Sequence, residues 1–284
     1  MAKSTSLDAL RLNIDAIDNE IHSLLLRRTD LVAEIGDLKR ARNREGFSLR
    51  PSREATIIRR LVARHSGPFP VAALVRLWRE LLSGQVMVQS NFNIALFDPS
   101  TDATYRSITR DQFSASGRVH LLPSSTQVIQ AVSGGNSTLG ILPLPSDKHP
   151  DPWWATLPNE GNMPLRIIAR LPFLKEQEDT VAQSEALVVA SVTPEPSGED
   201  VSLVVVGLNE RIDDKDLKKL LHAQGLVATT LSRSTNHDHL EHFHLHPIQT
   251  AHKLWRVSKK DLVLFLPYSK GALQLDCPLS YPQP

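Results

Sequence analysis

A few polar side chains in the first ninety residues sit where apolar ones are expected. In "LLLRRTDLVAEIGDLKR" (24–40), Leu24, Leu31, Ile35 and Leu38 share one helical stripe, and Arg28 falls on it. Lys39 follows eleven residues later, three helical turns nearly in phase and about 16 Å along the axis, so both long side chains can converge on a small molecule between them. Arg11 is about 25 Å from Arg28, beyond the reach of a site on one helix. In an antiparallel pair of chains it returns beside Arg28. Gln85 and Gln89 continue the apolar face of a later helix, although Gln85 also reads as its partly exposed end. Three cations and two neutral amides, with little acid except Glu54, suit a small ligand bearing more than one carboxylate. Coiled-coil register is set by one polar residue, not by such a set spread over two helices.

Three helices must position these groups. Ser6 is a helix cap with Asp8 in the first turn, and seam positions 7, 10, 14, 17, 21, 24, 28, 31, 35 and 38 keep a three-four spacing to about residue 42. The resulting helix is about 50 Å long. Pro51 opens a second helix with stripe Ala55, Ile58, Leu61 and Val62, which ends at His65-Ser66-Gly67-Pro68. Val71, Leu74, Val75, Trp78, Leu81 and Leu82 make the third. Two short helices cannot cover the long seam, so the sequence predicts an antiparallel homodimer through the first helix.

The 284 residues carry a net charge of +1, which supplies no basic field for nucleic acid. The single cysteine, Cys277, excludes an intramolecular disulfide framework; with no apolar leader in MAKSTSLDAL, a cytoplasmic protein is expected. No apolar run reaches the roughly 20 residues of a membrane span. Most of the 19 prolines follow residue 92. The expected organisation is multi-domain: an all-α unit at 1–92, an α/β unit at 93–190, and a smaller α+β unit at 191–284.

Residues 7–90 resemble the all-helical class of chorismate mutase, as fused to bacterial prephenate dehydratases. The resemblance is carried by "ALR" with Arg11, "LLLRRTDLVAEIGDLK" with Arg28 and Lys39, "PSRE" with Arg53 and Glu54, and the third helix ending at Gln89. It implies an intertwined dimer binding chorismate, with Arg28 and the partner's Arg11 on the carboxylates. Lys39 and Gln89 would lie at the ether oxygen and Glu54 near the ring hydroxyl, with Arg53 and Gln85 as further substrate contacts. Arg50 stands where some members have an acid, and Gln85 replaces a frequent serine. The implied rearrangement to prephenate needs no nucleophile, metal or cofactor. It needs a held conformer and hydrogen bonds to an ether oxygen that gains negative charge.

Beyond residue 92, "FNIALFD" (92–98) and "TLGILPLP" (138–145) read as buried strands around the helix-like "SSTQVIQAV" (124–132). This order resembles the prephenate dehydratase domain. At "IIARLPF" (167–173), where that family's Thr-Arg-Phe motif is expected, the threonine position reads Ala169 and the phenylalanine position Leu171; Leu144 and Pro145 replace usual polar residues. A catalytically silent, regulatory region is expected. "SLVVVGL", "DKDLKKLLHAQG", "LVATTLS", "HFHLHPI" and "LVLFLPY" suggest a βαββ(α)β unit similar to the ACT domain, for which an aromatic amino acid is the candidate effector.

Three further features take structural readings. His242, His244 and His246 alternate onto one strand face without a completing Cys or carboxylate pattern, so no metal site is assigned. Trp153-Trp154 reads as packing at a domain junction before an aromatic pocket, and Gly134-Gly135 as a turn, since the rest of a phosphate-binding loop is missing. The expected function is chorismate mutase. The alternative is a pseudo-enzyme or sensor that binds chorismate or an aromatic acid without turnover.

Overall fold

The computed structural model describes residues 6–41, 49–90, 92–99, 103–113, 117–146, 151–155, 157, 165–175, 185–192, 195–198, 201–208, 213–223, 232–236, 241–249, 258–259, 262–265 and 275–276. Helix α1 (Leu7–Ala41) starts where Ser6 Oγ accepts from the Ala9 N–H at 3.2 Å, and Lys39 and Arg40 complement its negative C-terminal end. Helix α2 (Pro51–Arg64) has proline in its first turn, where a missing N–H costs nothing, and stops at extended His65. Helix α3 (Val71–Gln89) follows Pro70. It runs parallel to α1, with Gln85 at Thr29 and Gln89 at Val32.

Along α1 the apolar stripe faces solvent: Leu7, Ile14, Ile17, Ile21, Leu24, Leu31 and Leu38 are each more than half exposed. Among its described residues only Gly36 is buried.

After α3 come β1 (Asn93–Phe97), α4 (Thr104–Phe113), β2 (Arg118–Leu122), α5 (Ser125–Ser133) and β3 (Leu139–Pro143). Strands β4 (Arg166–Leu171), β5 (Leu174–Lys175) and β6 (Ala186–Ala190) follow. The sheet order is β2-β1-β3-β6-β4, parallel among β2, β1 and β3 and antiparallel from β3 through β6 to β4. Central strands β3 and β6 are buried at all five positions, which explains their uninterrupted apolar text. Edge strand β2 is largely exposed and carries Arg118 and His120, charged and polar groups that discourage further pairing. Ser124 caps α5 by accepting from the Gln127 N–H. Gly134-Gly135 ends that helix, with Gly135 at φ +73°. A turn stands there, as the sequence suggested.

Trp153 and Trp154 are buried among Ile94, Leu142 and Ile167, and the Trp153 indole N–H donates to Pro143 O at 3.2 Å. They are core packing. Leu49 and Val86 of the helical region and Leu203 further on belong to the same apolar cluster. In the other direction, Phe173 leaves the sheet and packs among Ala55, Ile58, Val75 and Leu82 of α2 and α3.

The last part contains β7 (Val201–Leu208), α6 (Asp214–Ala223), β8 (Ser232–Asn236), β9 (Glu241–Gln249), β10 (Ser258–Lys259) and β11 (Leu262–Phe265). A short β12 (Leu275–Asp276) pairs with β5. The antiparallel order β10-β11-β7-β9-β8 places the four main strands as fourth, first, third, second, the split βαβ arrangement. The strand expected at "LVATTLS" falls mostly outside the described residues, and β8 begins at its last residue, Ser232. His242, His244 and His246 stand opposite Leu208, Val206 and Val204 in the β9–β7 ladder. No cluster of three or more His, Cys, Asp or Glu suited to a metal occurs among the described residues, and their helices include none long and apolar enough to cross a membrane.

Gly140 on β3 is a close-packing position. A Cβ there would meet Val128 Cγ1 at 2.7 Å and Val189 Cγ2 at 2.9 Å. Gly140→Ala should therefore destabilise the protein by about 1–3 kcal/mol, read as a lowered urea midpoint with unchanged slope.

Candidate active site

The first turn of α2 is the centre of the candidate site. It presents Arg53 toward α1, and with Arg28 of α1, Ser52 and Arg60 of α2, Trp78 of α3, and Glu195-Pro196 it lines a cavity of about 520 Å³. Arg28 is held below the ordinary arginine pKa, first by burial and then by repulsion from Arg53. Its Nη1 is buried without a hydrogen-bond partner among the described residues. Two like charges beside one cavity, with a donor left over, form a receptor for an anion.

The expected glutamines lie next to it. Gln85 is buried, its Nε2 is 3.5 Å from Thr29 Oγ1, and its Oε1 has no partner among the described residues. Gln89 Nε2 donates to Val32 O at 3.3 Å. Val32 is one turn beyond Arg28 and seven residues before Lys39, so Gln89 meets α1 about 6 Å from the level of Arg28 and about 10 Å from that of Lys39. Lys39 is half-buried on the face shared by Val32 and Gly36, and Gly36 lies against the Gln89 side chain. Within the chain, the structure thus brings Arg28 and Arg53 to one cavity and sets Gln85 and Gln89 against α1, outside the residues that line that cavity, with Lys39 half-buried further along the same helix.

Arg11 is not brought there. It is exposed near the far end of α1 and pairs with its own Asp8 at 3.3 Å. Glu54 is engaged elsewhere: its Oε2 accepts from Arg79 Nη1 at 3.0 Å, the two side chains being 11% and 4% exposed. The Arg79 guanidinium lies 3.8 Å from the centre of the Phe173 ring. Burial raises the Glu54 pKa and lowers that of Arg79 to about 10, in each case outweighing the partner's charge. The ionised pair is therefore held at a cost in water lost.

Arg79 and Glu195 escaped the sequence reading. Arg79 had a usable signal, since positions 75, 79, 82 and 86 share one stripe of α3 and Arg79 interrupts it as Arg28 interrupts that of α1. Glu195 had none, lying well over a hundred residues from the arginines it joins.

Comparison with known proteins bears on this arrangement. Residues 10–90 match the family model described as chorismate mutase type II. These residues are a chorismate mutase type II domain. The mutase domain thus includes every helix that carries the cavity's cations. Bifunctional chorismate mutase/prephenate dehydratases are similar over longer stretches: that of Stutzerimonas stutzeri is 24% identical over 147 residues, 51% of this chain and 40% of that protein. That of Aquifex aeolicus is 30% identical over 145 residues, 49% and 38% of the respective chains. That of Neisseria gonorrhoeae is 37% identical over 86 residues, 30% of this chain and 23% of that one. The matched stretches thus span 40% or less of these relatives' lengths. Among solved structures, the prephenate dehydratase of Streptococcus mutans gives a TM-score of 0.41 at 14% identity, covering 56% of this chain and 82% of that one. The prephenate dehydratase of Arthrobacter aurescens in complex with L-Phe gives 0.41 at 12%, covering 56% and 80%.

The α/β region after the mutase domain lacks the hydroxyl expected of a Thr-Arg-Phe motif. Ala169 and Leu171 are buried on β4, and Arg170 is bound to Glu185 at 2.7 Å.

The Glu54–Arg79 pair makes a stability prediction. Arg79→Met alone strands a buried carboxylate and should cost about 3–5 kcal/mol, whereas adding Glu54→Leu should recover most of that loss. Urea unfolding of the single and double variants measures both.

Proposed function

We propose that this protein is a chorismate mutase that rearranges chorismate to prephenate and works as an intertwined homodimer. The observation that carries the reading is the Arg28–Arg53 cavity, where two guanidiniums stand together and Arg28 Nη1 is buried without a partner. A ligand with two carboxylates relieves that repulsion and fills the missing hydrogen bond.

In the dimer, two α1 helices pair antiparallel through their exposed stripe, which places Arg11 of the partner subunit beside Arg28. Together these arginines grip the carboxylates and select the compact conformer from which the rearrangement proceeds. Lys39 and the Gln89 amide donate to the ether oxygen as its bond breaks and negative charge grows there. Gln89 is suitably placed, since it meets α1 between the levels of Arg28 and Lys39. Arg53 and Gln85 add substrate contacts. Glu54 is the acid nearest in sequence to receive the ring hydroxyl, and Arg79 fixes where its carboxylate stands. No proton needs to move and no cofactor is required.

The region 93–190 is non-catalytic in this proposal, in keeping with buried Ala169 and Leu171 on β4. Residues 191–284 form a regulatory ACT-like unit for an aromatic amino acid, a reading supported by the strand order of the last sheet. The protein acts in the cytoplasm.

Purified protein incubated with chorismate at neutral pH should accumulate prephenate with no enzyme-dependent phenylpyruvate, the two products being resolved by chromatography. Absence of prephenate formation above the uncatalysed rate would refute the mutase reading. Phenylpyruvate formation would refute the silent α/β region.

The shared site has its own test. Arg11→Ala and Arg28→Ala should each be nearly inactive, because neither homodimer contains a complete pocket. A mixed dimer has one complete pocket and one that lacks both arginines. Random pairing makes half of the dimers mixed, so co-expression should restore about a quarter of the wild-type activity per chain. Recovery no greater than the mean of the two variants, with mixed dimers present, would place the site within one chain.

A further inference from the structure

The cavity holds an acid that the helices themselves do not supply. Glu195 belongs to the segment between β6 and β7, yet both its carboxylate oxygens lie on Arg50 Nη2, at 2.6 and 2.7 Å. Ser52 Oγ donates to its Oε2 at 3.3 Å, and Arg59 Nη1 donates to Ser197 O and Oγ at 3.1 and 3.2 Å. Residues 195–197 therefore lie along the first turns of α2 as a strap, and Glu195 and Pro196 line the same cavity as Arg28 and Arg53. Gly198 then takes φ +99°, a backbone bend that other residues rarely adopt, shortly before β7 enters the last sheet.

We propose that Glu195 is a tethered competitor for the site's anion: its carboxylate occupies the cationic mouth of the cavity and is displaced when a dicarboxylate binds, so that it sets the site's affinity. The inference rests on the anion site proposed above and not on the reaction performed there.

Two features of the contact suit displacement. Arg50 and Glu195 are each 49% exposed, so the pair is screened by water and exchanges readily. The buried Glu54–Arg79 pair could not give way so easily. The tether, moreover, keeps the carboxylate at high local concentration, so even a weak contact competes measurably with a free anion. Hydrogen bonding to Arg50 also holds the Glu195 pKa below the ordinary carboxylate range, which keeps it charged near neutrality.

The test uses malonate as a small dicarboxylate probe, titrated into the full-length protein by calorimetry at fixed ionic strength. Glu195→Gln should lower the malonate Kd about two- to fivefold, the range expected for losing an exposed ion pair as competitor. Asp111→Asn, a matched charge change at an exposed position of α4, should leave the Kd at the wild-type value. Arg53→Ala added to Glu195→Gln should abolish binding, which locates the probe in this cavity. The proposal is overturned by an unchanged or higher Kd in Glu195→Gln, by an equal decrease in Asp111→Asn, by binding that survives Arg53→Ala, or by no malonate binding in any form. Failure to convert chorismate, with the malonate pattern intact, would remove the proposed reaction and leave the competitor in place.

Discussion

The apolar stripe of α1 is the constraint on which the rest depends. Eleven leucines and isoleucines along this helix are about half exposed or more. Burying the remainder of each side chain stabilises by on the order of 1 kcal/mol, and the whole stripe by on the order of 10, comparable to the net stability of a domain. In the proposed homodimer, a second copy of the helix supplies an apolar surface of the same length to cover it. The polar positions acquire their meaning from that requirement. Arg28 interrupts the stripe where α3 already touches α1, whereas Arg11 lies at the far end, paired with its own Asp8. In the proposed dimer, the spacing of these two arginines along one helix is what divides the site between two chains.

Two ion pairs anchor the start of α2, and their environments give them opposite characters. Glu54–Arg79 is sealed beneath Phe173, where loss of water raises the acid's pKa and lowers the base's. Such a pair contributes geometry more than stability, because both partners must remain in place once either is buried. Arg50–Glu195 lies at the rim in solvent, where an ion pair contributes little and is readily exchanged. The first turn of α2 thus has a rigid buried pair on one side and an exchangeable exposed pair on the other.

The helical part was legible because periodicity and caps are local signals. Ser6, Pro51 and Pro70 marked the starts of helices that the structure places at Leu7, Pro51 and Val71. Arg28 was legible as a breach of pattern, and the unpartnered Nη1 now gives that breach a physical content. Arg79 breaches the α3 stripe in the same manner. It passed unnoticed because its neutraliser, Glu54, lies on another helix and its cover, Phe173, comes from beyond the sheet. The strap at 195–197 was illegible for a stronger reason: neither composition nor spacing brings Glu195 to Arg50, since only the folded path of the intervening sheet does so. β1, β3 and α5 were read near their observed limits, but β8 falls where the text "SRSTN" is polar and its pairing with β9 defines it.

Phe173 has a bearing on how separable the helical unit is. Its ring covers Arg79 and shares an apolar cluster with Ala55, Ile58, Val75 and Leu82, while Leu49 and Val86 are buried in the neighbouring sheet's core. Each part has lent the other a piece of its interior. The two parts therefore share an interior: excising the helices at the change of composition would expose a charged pair and apolar surface together. A substitution at Phe173 therefore reaches the buried Glu54–Arg79 pair, although Phe173 does not line the cavity.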